Sequence, residues 1–188
     1  ECMSKDLISR LNEGPVICAE GYLFAMERRG YLQAGAFVPE VVLEHPEVVT
    51  QLHREFIRSG SDVVQAFTYY GHREKLKIIG KEDKLEALQK NALKIAKDAA
   101  NEFPDLDLMI AGNVANTCVY DPNDNSTIAE CRKMFEEQVA WAKEAGVDFI
   151  MAETLSWLEE AKIALKVIKE ADMIAVTNIT IHQEAKTR

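Results

Sequence analysis

Four polar residues in the sequence have types and positions suited to joint chemistry: Glu20, Tyr70, Asn113 and Glu153, each shortly after a short apolar run. Two carboxylates such as Glu20 and Glu153 are typical of general acid–base catalysis. Each residue also has a structural interpretation: Glu153 as a carboxylate at the start of the next helix, Glu20 and Asn113 as turn residues, and Tyr70 as an aromatic cover. The elements that carry these residues decide between the interpretations.

Five apolar runs predict strands that are buried on both faces. They occupy residues 16–19, 62–67, 106–111, 147–152 and 173–177. Between them, apolar residues recur at spacings of three and four, which predicts amphipathic helices. The predicted helices cover residues 46–59, 85–99, 128–145 and 155–168. His72 falls outside these elements, and we expect it at the surface.

The alternation of strands and helices predicts an α/β fold with a parallel sheet. Gly60 and Gly146 each stand where a helix gives way to a strand, as helix-ending glycines do. Two architectures fit, a doubly wound sheet and part of a (β/α)₈ TIM barrel, and the absence of GxGxxG and GxxxxGK[ST] motifs disfavours a nucleotide-binding sheet. A whole barrel takes about 250 residues, so this chain is long enough for about five β/α units, the N-terminal part of one. Ligands bind at the carboxyl ends of parallel strands, so we expect the four polar residues to face one cavity there.

Charge and cysteine content exclude several classes of protein. The formal net charge is -9 and no basic block is present, so we expect neither nucleic acid nor an anionic membrane as a partner. No apolar run approaches the roughly 20 residues of a membrane span, and no signal-peptide pattern opens the chain. Cys2, Cys18, Cys118 and Cys131 form no CxxC pair, which argues against a zinc ribbon or a disulfide scaffold. We expect a reducing cytoplasmic setting.

Several longer segments carry a resemblance to a known family. They are residues 18–24 (CAEGYLF), 27–31 (ERRGY), 65–70 (QAFTYY) and 149–154 (FIMAET). Together they resemble the homocysteine-binding domain of the betaine–homocysteine S-methyltransferases, over a stretch from about Leu7 to Thr177. The resemblance implies that residues 1–188 belong to one homocysteine-binding domain, truncated on its C-terminal side.

The resemblance also implies an activity, a cofactor and partners. The family transfers a methyl group from betaine, or from a related donor, to the sulfur of homocysteine, giving dimethylglycine and methionine, and so serves methionine biosynthesis. A zinc ion keeps the sulfur as a thiolate. By resemblance, Glu153 matches a glutamate that holds the homocysteine amino group, Tyr70 a tyrosine at the substrate mouth, and Phe37 an aromatic residue near the methyl donor. Relatives commonly form homo-oligomers. With the strand-end residues added, the expected substrate-binding set is Glu20, Gly21, Phe37, Tyr70, Asn113 and Glu153.

The chain departs from the family pattern at three places. Phe37 stands where relatives carry Trp, which binds a quaternary ammonium better. Residues 18–21 read Cys-Ala-Glu-Gly where many relatives have Gly-Asp-Gly-Gly, so Glu20 would replace the aspartate from one position along. The family's zinc ligands are cysteines, in a Gly-Gly-Cys-Cys-Gly type of motif, on strands that come after the position of Arg188. None of the four cysteines of this chain matches them.

The missing ligands lead us to expect that the isolated 188-residue chain carries out no zinc-dependent methyl transfer. Two other functions stay open at this point. One is a truncated, non-catalytic isoform or fragment that acts as a binding or assembly partner. The other is a barrel enzyme that uses Glu20 and Glu153 as an acid–base pair.

Overall fold

A parallel four-stranded sheet forms the centre of the fold in the computed structural model, which describes residues 6–32 and 38–182. The strands pair in chain order, and every pairing is parallel. They are β1 (Val63–Gln65), β2 (Met109–Ala115), β3 (Phe149–Leu155) and β4 (Ile174–Ile179). The α/β class and the parallel sheet are therefore confirmed.

The first predicted strand, residues 16–19, is reduced to a single parallel bridge between Cys18 and Val63. Side chains take the place of part of the backbone ladder here. The N–H of Ile17 donates to Asp62 Oδ2 at 2.7 Å, and the N–H of Ala19 donates to Ser61 Oγ at 3.1 Å. The segment thus lies beside β1 as predicted but is not a regular strand.

Helices follow or precede each strand. Their bounds are α1 (Leu7–Glu13), α2 (Tyr22–Arg28), α3 (Val41–Glu44), α4 (Pro46–Arg58), α5 (Arg73–Ile78), α6 (Leu85–Asn101), α7 (Ser126–Ala145) and α8 (Leu158–Glu170), with a 3₁₀ turn at Glu82–Lys84. The four longest, α4, α6, α7 and α8, coincide within a few residues with the predicted helices. Gly146 ends α7 at φ 75°, a left-handed conformation that glycine adopts without strain. Within the described ranges, no helix combines the length and the apolar character needed to cross a membrane.

Alternate strand residues face two different environments. Val64, Val114 and Ile150 pack with Phe135 of α7 in the larger core, to which α4, α6 and α8 also contribute. The opposite face carries Val63, Met109, Phe149 and Met151, closed at one end by Leu7 of α1. A doubly wound sheet has long helices on both faces, whereas the long helices described here lie on one face. This is the arrangement of a barrel segment.

Three strands extend further than predicted: β2, β3 and β4, the last of which ends at Ile179 rather than at residue 177. The run 147–152 predicted an end before Glu153, but β3 continues to Leu155, and Ala115 pairs with Glu153. The run 106–111 likewise predicted that Asn113 follows its strand, whereas Asn113 lies on β2. The apolar runs end before the strands do, because Asn113 and Glu153 are polar residues whose backbones still pair within the sheet.

Candidate functional site

A cleft of about 260 Å³ opens at the carboxyl end of the sheet, between β1, β3 and α2. Its lining residues are Glu20, Gly21, Tyr22, Leu23, Phe24, Gln65, Ala66, Phe67, Tyr69, Glu153 and Thr154. Three of the predicted site residues, Glu20, Gly21 and Glu153, therefore meet at one cavity. Among the described residues, the lining includes two carboxylates and no Lys, Arg or His, so the cleft is suited to a cationic group.

The Glu153 carboxylate of β3 is held by two amides, one from β2 and one from β1. Its Oε1 accepts a hydrogen bond from Asn113 Nδ2 at 2.7 Å and a longer one from Gln65 Nε2 at 3.4 Å. Burial raises the pKa of Glu153; the Asn113 hydrogen bond opposes this, and the negative charge of Glu20 adds to it. The alternative in which Glu153 serves the next helix is wrong, because Glu153 lies on β3 and α8 begins after Trp157.

Gln65 links the carboxylate to a thiol. While its Nε2 donates to Glu153, its Oε1 accepts from Cys18 Sγ at 3.5 Å. Burial, followed by the charges of Glu20 and Glu153, raises the pKa of Cys18 to about 12. Cys18 is therefore a neutral hydrogen-bond donor at neutral pH rather than a nucleophilic thiolate.

The exposed Glu20 stands at the rim of the cleft, directly before Gly21. Gly21 precedes the first residue of α2 at φ 88°. Open space surrounds a Cβ placed there, but the left-handed backbone would strain any L side chain. The glycine thus allows the sharp turn that brings both Glu20 and α2 to the cleft.

Aromatic side chains form the other wall of the cleft. The rings of Tyr22 and Phe67 stack with centroids 5.8 Å apart, and Tyr69 continues the wall. The Tyr22 hydroxyl is held by a hydrogen bond with the fully buried His53, whose Nδ1 lies 3.0 Å away. Burial raises the pKa of both Tyr22 and Tyr69, so both phenols stay neutral. This wall is therefore aromatic and uncharged.

Tyr70 lies at the same end of the sheet but outside the cleft lining. Its ring sits 4.3 Å from Lys75 Nζ, and its hydroxyl accepts from Asn116 Nδ2 at 3.4 Å. Tyr70 and Thr154 have φ of 57° and 54°, values that are costly for residues with a Cβ. Backbone strain of this kind concentrates at functional sites, and here it borders the cleft.

His72 contradicts the expectation of a surface position, because it is only 1% exposed. Its Nδ1 accepts from the N–H of Lys75 at 3.3 Å, so the proton is on Nε2, which donates to the carbonyl of Asn116 at 3.1 Å. Asn116 in turn donates to the carbonyl of Thr154 at 3.1 Å. The buried imidazole therefore ties the segment after β1 to the segment after β2, and Asn116 joins both to the end of β3.

A buried carboxylate on α8 holds the segment after β2 in place. Glu160 is 2% exposed, and its Oε1 accepts from the N–H and the hydroxyl of Thr117 at 2.7 and 2.6 Å. The same hydroxyl lies 3.2 Å from Cys131 Sγ on α7. Because Thr117 follows Asn116 directly, this contact positions the polar rim of the sheet rather than a ligand.

The predicted site residues thus fall into three groups. Glu20, Gly21 and Glu153 line the cleft, Asn113 supports Glu153 from β2, and Tyr70 stands beside the cleft. Asn113 is not a turn residue, since it pairs within the sheet. Phe37 lies outside the described residues.

Sequence reasoning missed Gln65 and Tyr22, which line the cleft. One of them carried a usable signal. Gln65 is a polar residue inside an otherwise apolar strand, and a buried polar side chain requires partners. Tyr22 looks like an ordinary core residue in sequence, and only the geometry of the turn at Gly21 brings it to the cleft.

The residues present do not fit a zinc site. A catalytic zinc ion usually takes three protein ligands, and across residues 6–32 and 38–182 no three His, Cys, Asp or Glu side chains are grouped closely enough to hold a metal ion. Cys18 is near the cleft, Cys118 is exposed after β2, and Cys131 is buried on α7. We therefore derive no step of a reaction through zinc.

Comparison with known proteins gives one consistent group. The family model described as Homocysteine S-methyltransferase matches residues 21–188. Betaine–homocysteine S-methyltransferase 1 of Bos taurus is 37% identical over 187 residues, which cover 97% of this chain and 45% of that protein. The enzyme of the same name from Rattus norvegicus is 39% identical over 170 residues, or 88% of this chain and 40% of that protein. The chain thus spans less than half of either relative.

A solved structure is similar in fold. The homocysteine methyltransferase MmuM from Escherichia coli, in its metallated form, superposes with a TM-score of 0.80 at 18% sequence identity. The match covers 96% of this chain and 68% of that protein. The apo form of the same protein gives a TM-score of 0.71. At this level of identity, the likeness is one of fold.

Proposed function

Since the chain belongs to the homocysteine S-methyltransferase family, we propose that it provides the homocysteine-recognising part of a methyltransferase that uses betaine as methyl donor. The products are methionine and dimethylglycine. The observation that carries the proposal is the half-buried Glu153 carboxylate, held by Asn113 and Gln65 in a cleft whose other lining is mostly apolar. The choice of betaine rests on the names of the relatives.

The cleft fits the two ends of homocysteine in different ways. The α-ammonium group pairs with Glu153, whose charge is poorly solvated and gains from a cationic partner. The methylene groups and the sulfur face the aromatic wall of Tyr22, Phe67 and Tyr69. A charge-assisted hydrogen bond of this kind contributes about 1.5–3 kcal/mol.

Recognition is the only step that we assign to this chain. The reaction needs the homocysteine sulfur as a thiolate, the form that a zinc ion stabilises in the family. The described residues do not fit a zinc site, and the raised pKa of Cys18 leaves it a neutral thiol. We also propose a cytoplasmic setting, which agrees with the free thiols of Cys18, Cys118 and Cys131. Homo-oligomer formation stays a prediction.

One observation favours the second candidate function, that of an assembly partner without catalysis. Within residues 6–32 and 38–182, β4 pairs on one edge only, and its apolar Ile174 and Val176 are partly exposed. A free strand edge beside apolar side chains accepts a further strand. Light scattering of the purified chain separates the candidates: a concentration-dependent complex without homocysteine binding would favour assembly over recognition.

The proposal is tested with Glu153→Ala in the protein that carries this sequence. Calorimetry with L-homocysteine should show a loss of about 1.5–3 kcal/mol, because the ammonium loses its charged partner. Glu159→Ala is the matched control, since Glu159 is an exposed carboxylate on α8 that pairs with Lys162 at 2.6 Å and is remote from the cleft lining. Equal homocysteine affinity in wild type and Glu153→Ala would refute the assignment.

A further inference from the structure

The two amides that hold Glu153 differ in how completely they are paired. Gln65 uses both ends, because its Nε2 donates to Glu153 and its Oε1 accepts from the Cys18 thiol. Asn113 uses only one end. Its Nδ2 donates to Glu153, while its Oδ1 is buried without a hydrogen-bond partner, in a residue that is 4% exposed. A buried carbonyl oxygen without a partner is rare and points to a ligand group that supplies one.

The orientation of the Asn113 amide follows from the charge of its neighbour. An ionised carboxylate accepts hydrogen bonds and donates none, so the amide must turn its NH₂ group to Glu153. The carbonyl oxygen then faces away from Glu153 Oε1. Both oxygens lie at the same end of adjacent strands, since Asn113 and Glu153 are two residues apart in the β2–β3 register.

We propose that Asn113 is a positioning and specificity residue: it fixes the Glu153 carboxylate through Nδ2 and supplies Oδ1 as a second acceptor for the α-ammonium group of the amino-acid substrate. The inference rests on the proposed function for the identity of the ligand. The fixing of Glu153 by Nδ2 does not depend on it.

An ammonium group explains the unpaired oxygen better than other ligand groups. It has three N–H donors and no acceptor, so it complements a site composed of a carboxylate and a carbonyl oxygen. A ligand without the amino group would leave Asn113 Oδ1 buried and unpaired, and such a loss discriminates strongly between ligands. Asn113 therefore distinguishes an α-amino acid from the corresponding des-amino acid.

The ligand test compares L-homocysteine with 4-mercaptobutanoate, which lacks only the amino group. In Asn113→Ala, the affinity for L-homocysteine should fall by about tenfold or more, while that for 4-mercaptobutanoate stays within about twofold of wild type. Asn91→Ala is the matched control, since the Asn91 amide donates to the carbonyl of Val42 on the helical side of the sheet and its loss should change neither affinity. Equal weakening of both ligands by Asn113→Ala would overturn the specificity role.

The positioning role is tested without any ligand. The Glu153 carboxyl carbon, labelled with ¹³C and assigned through Glu153→Gln, is titrated in wild type, Asn113→Ala and Asn91→Ala. The Asn113 hydrogen bond lowers the pKa of Glu153, so its removal should raise that pKa, against the same background of Glu20, Cys18 and Tyr69 around the cleft. An unchanged titration would overturn the positioning role.

The two measurements separate the possible failures. If wild type binds neither ligand, the proposed function fails and the specificity role fails with it, while the ligand-free titration still decides the positioning role. If wild type binds homocysteine and Asn113→Ala binds it equally well, the proposed function survives and the specificity role fails, while the titration again decides the positioning role.

Discussion

The two buried histidines should make the chain sensitive to mild acid. His53 and His72 are 0% and 1% exposed. Burial lowers the pKa of His53 to about 3 and that of His72 to about 4. In the unfolded chain both imidazoles titrate at about 6.5. Below pH 6.5 the imidazoles bind protons in the unfolded chain but not in the folded chain. The free energy of unfolding is therefore greatest above pH 6.5 and decreases as the pH falls towards the pKa values of the folded chain.

The size of the effect follows from the pH interval. A shift of one pKa unit is equivalent to about 1.4 kcal/mol, and pH 5 lies 1.5 units below the unfolded pKa of about 6.5. Each histidine therefore lowers the free energy of unfolding by about 2 kcal/mol at pH 5 relative to pH 7, and the pair lowers it by about 4 kcal/mol. A domain of ordinary stability has about 5–15 kcal/mol in total.

Urea unfolding at pH 7 and pH 5 measures this difference. The variant His53→Gln keeps a polar group opposite the Tyr22 hydroxyl but does not titrate, so its loss of stability between the two pH values should be about 2 kcal/mol smaller than that of wild type. His45→Gln is the control, because His45 is half exposed and its side chain is solvated. A wild-type free energy of unfolding that is equal at pH 7 and pH 5 would refute the reasoning.

Two further predictions concern the buried carboxylate and the metal. Glu160→Ala leaves the N–H and hydroxyl of Thr117 without their buried acceptor and should cost about 2–5 kcal/mol in urea unfolding; a change no larger than that of the exposed control Glu159→Ala would contradict the role of this contact. The 188-residue chain dialysed against zinc should bind less than one equivalent and form no methionine from betaine and homocysteine. Stoichiometric zinc with turnover would contradict the poor fit of the described residues to a metal site.

The sequence predicted the parts of the fold that depend on periodicity. The four long helices have strong three- and four-residue apolar spacing, and Gly146 ends α7 as expected. The irregular backbone pairing of residues 16–19 was less predictable. Their N–H groups donate to the side chains of Asp62 and Ser61, and these contacts arise only in the folded structure. The ends of β2 and β3 were missed because Asn113 and Glu153 are polar positions of paired strands, where apolar patterning gives no signal.

The candidate site was predictable in type more than in detail. A carboxylate near the end of an apolar run pointed correctly to the carboxyl end of the sheet, and Glu20 and Glu153 do meet there. The partners of Glu153 were not apparent, because Gln65 and Asn113 are more than 40 residues apart and only the register of β1, β2 and β3 brings them together. His72 was misplaced because polarity alone does not reveal a side chain whose two nitrogens are both paired.

The central claim is that Glu153 receives the ammonium group of homocysteine. It is tested most directly by the pKa of the Glu153 carboxyl, measured by ¹³C NMR on the 188-residue chain with and without saturating L-homocysteine. Without ligand, burial and Glu20 keep this pKa above its ordinary value. A bound ammonium group should lower it, because an opposite charge within hydrogen-bond distance favours the ionised carboxylate. A Glu153 pKa that is the same in the free chain and in the homocysteine complex would contradict the claim.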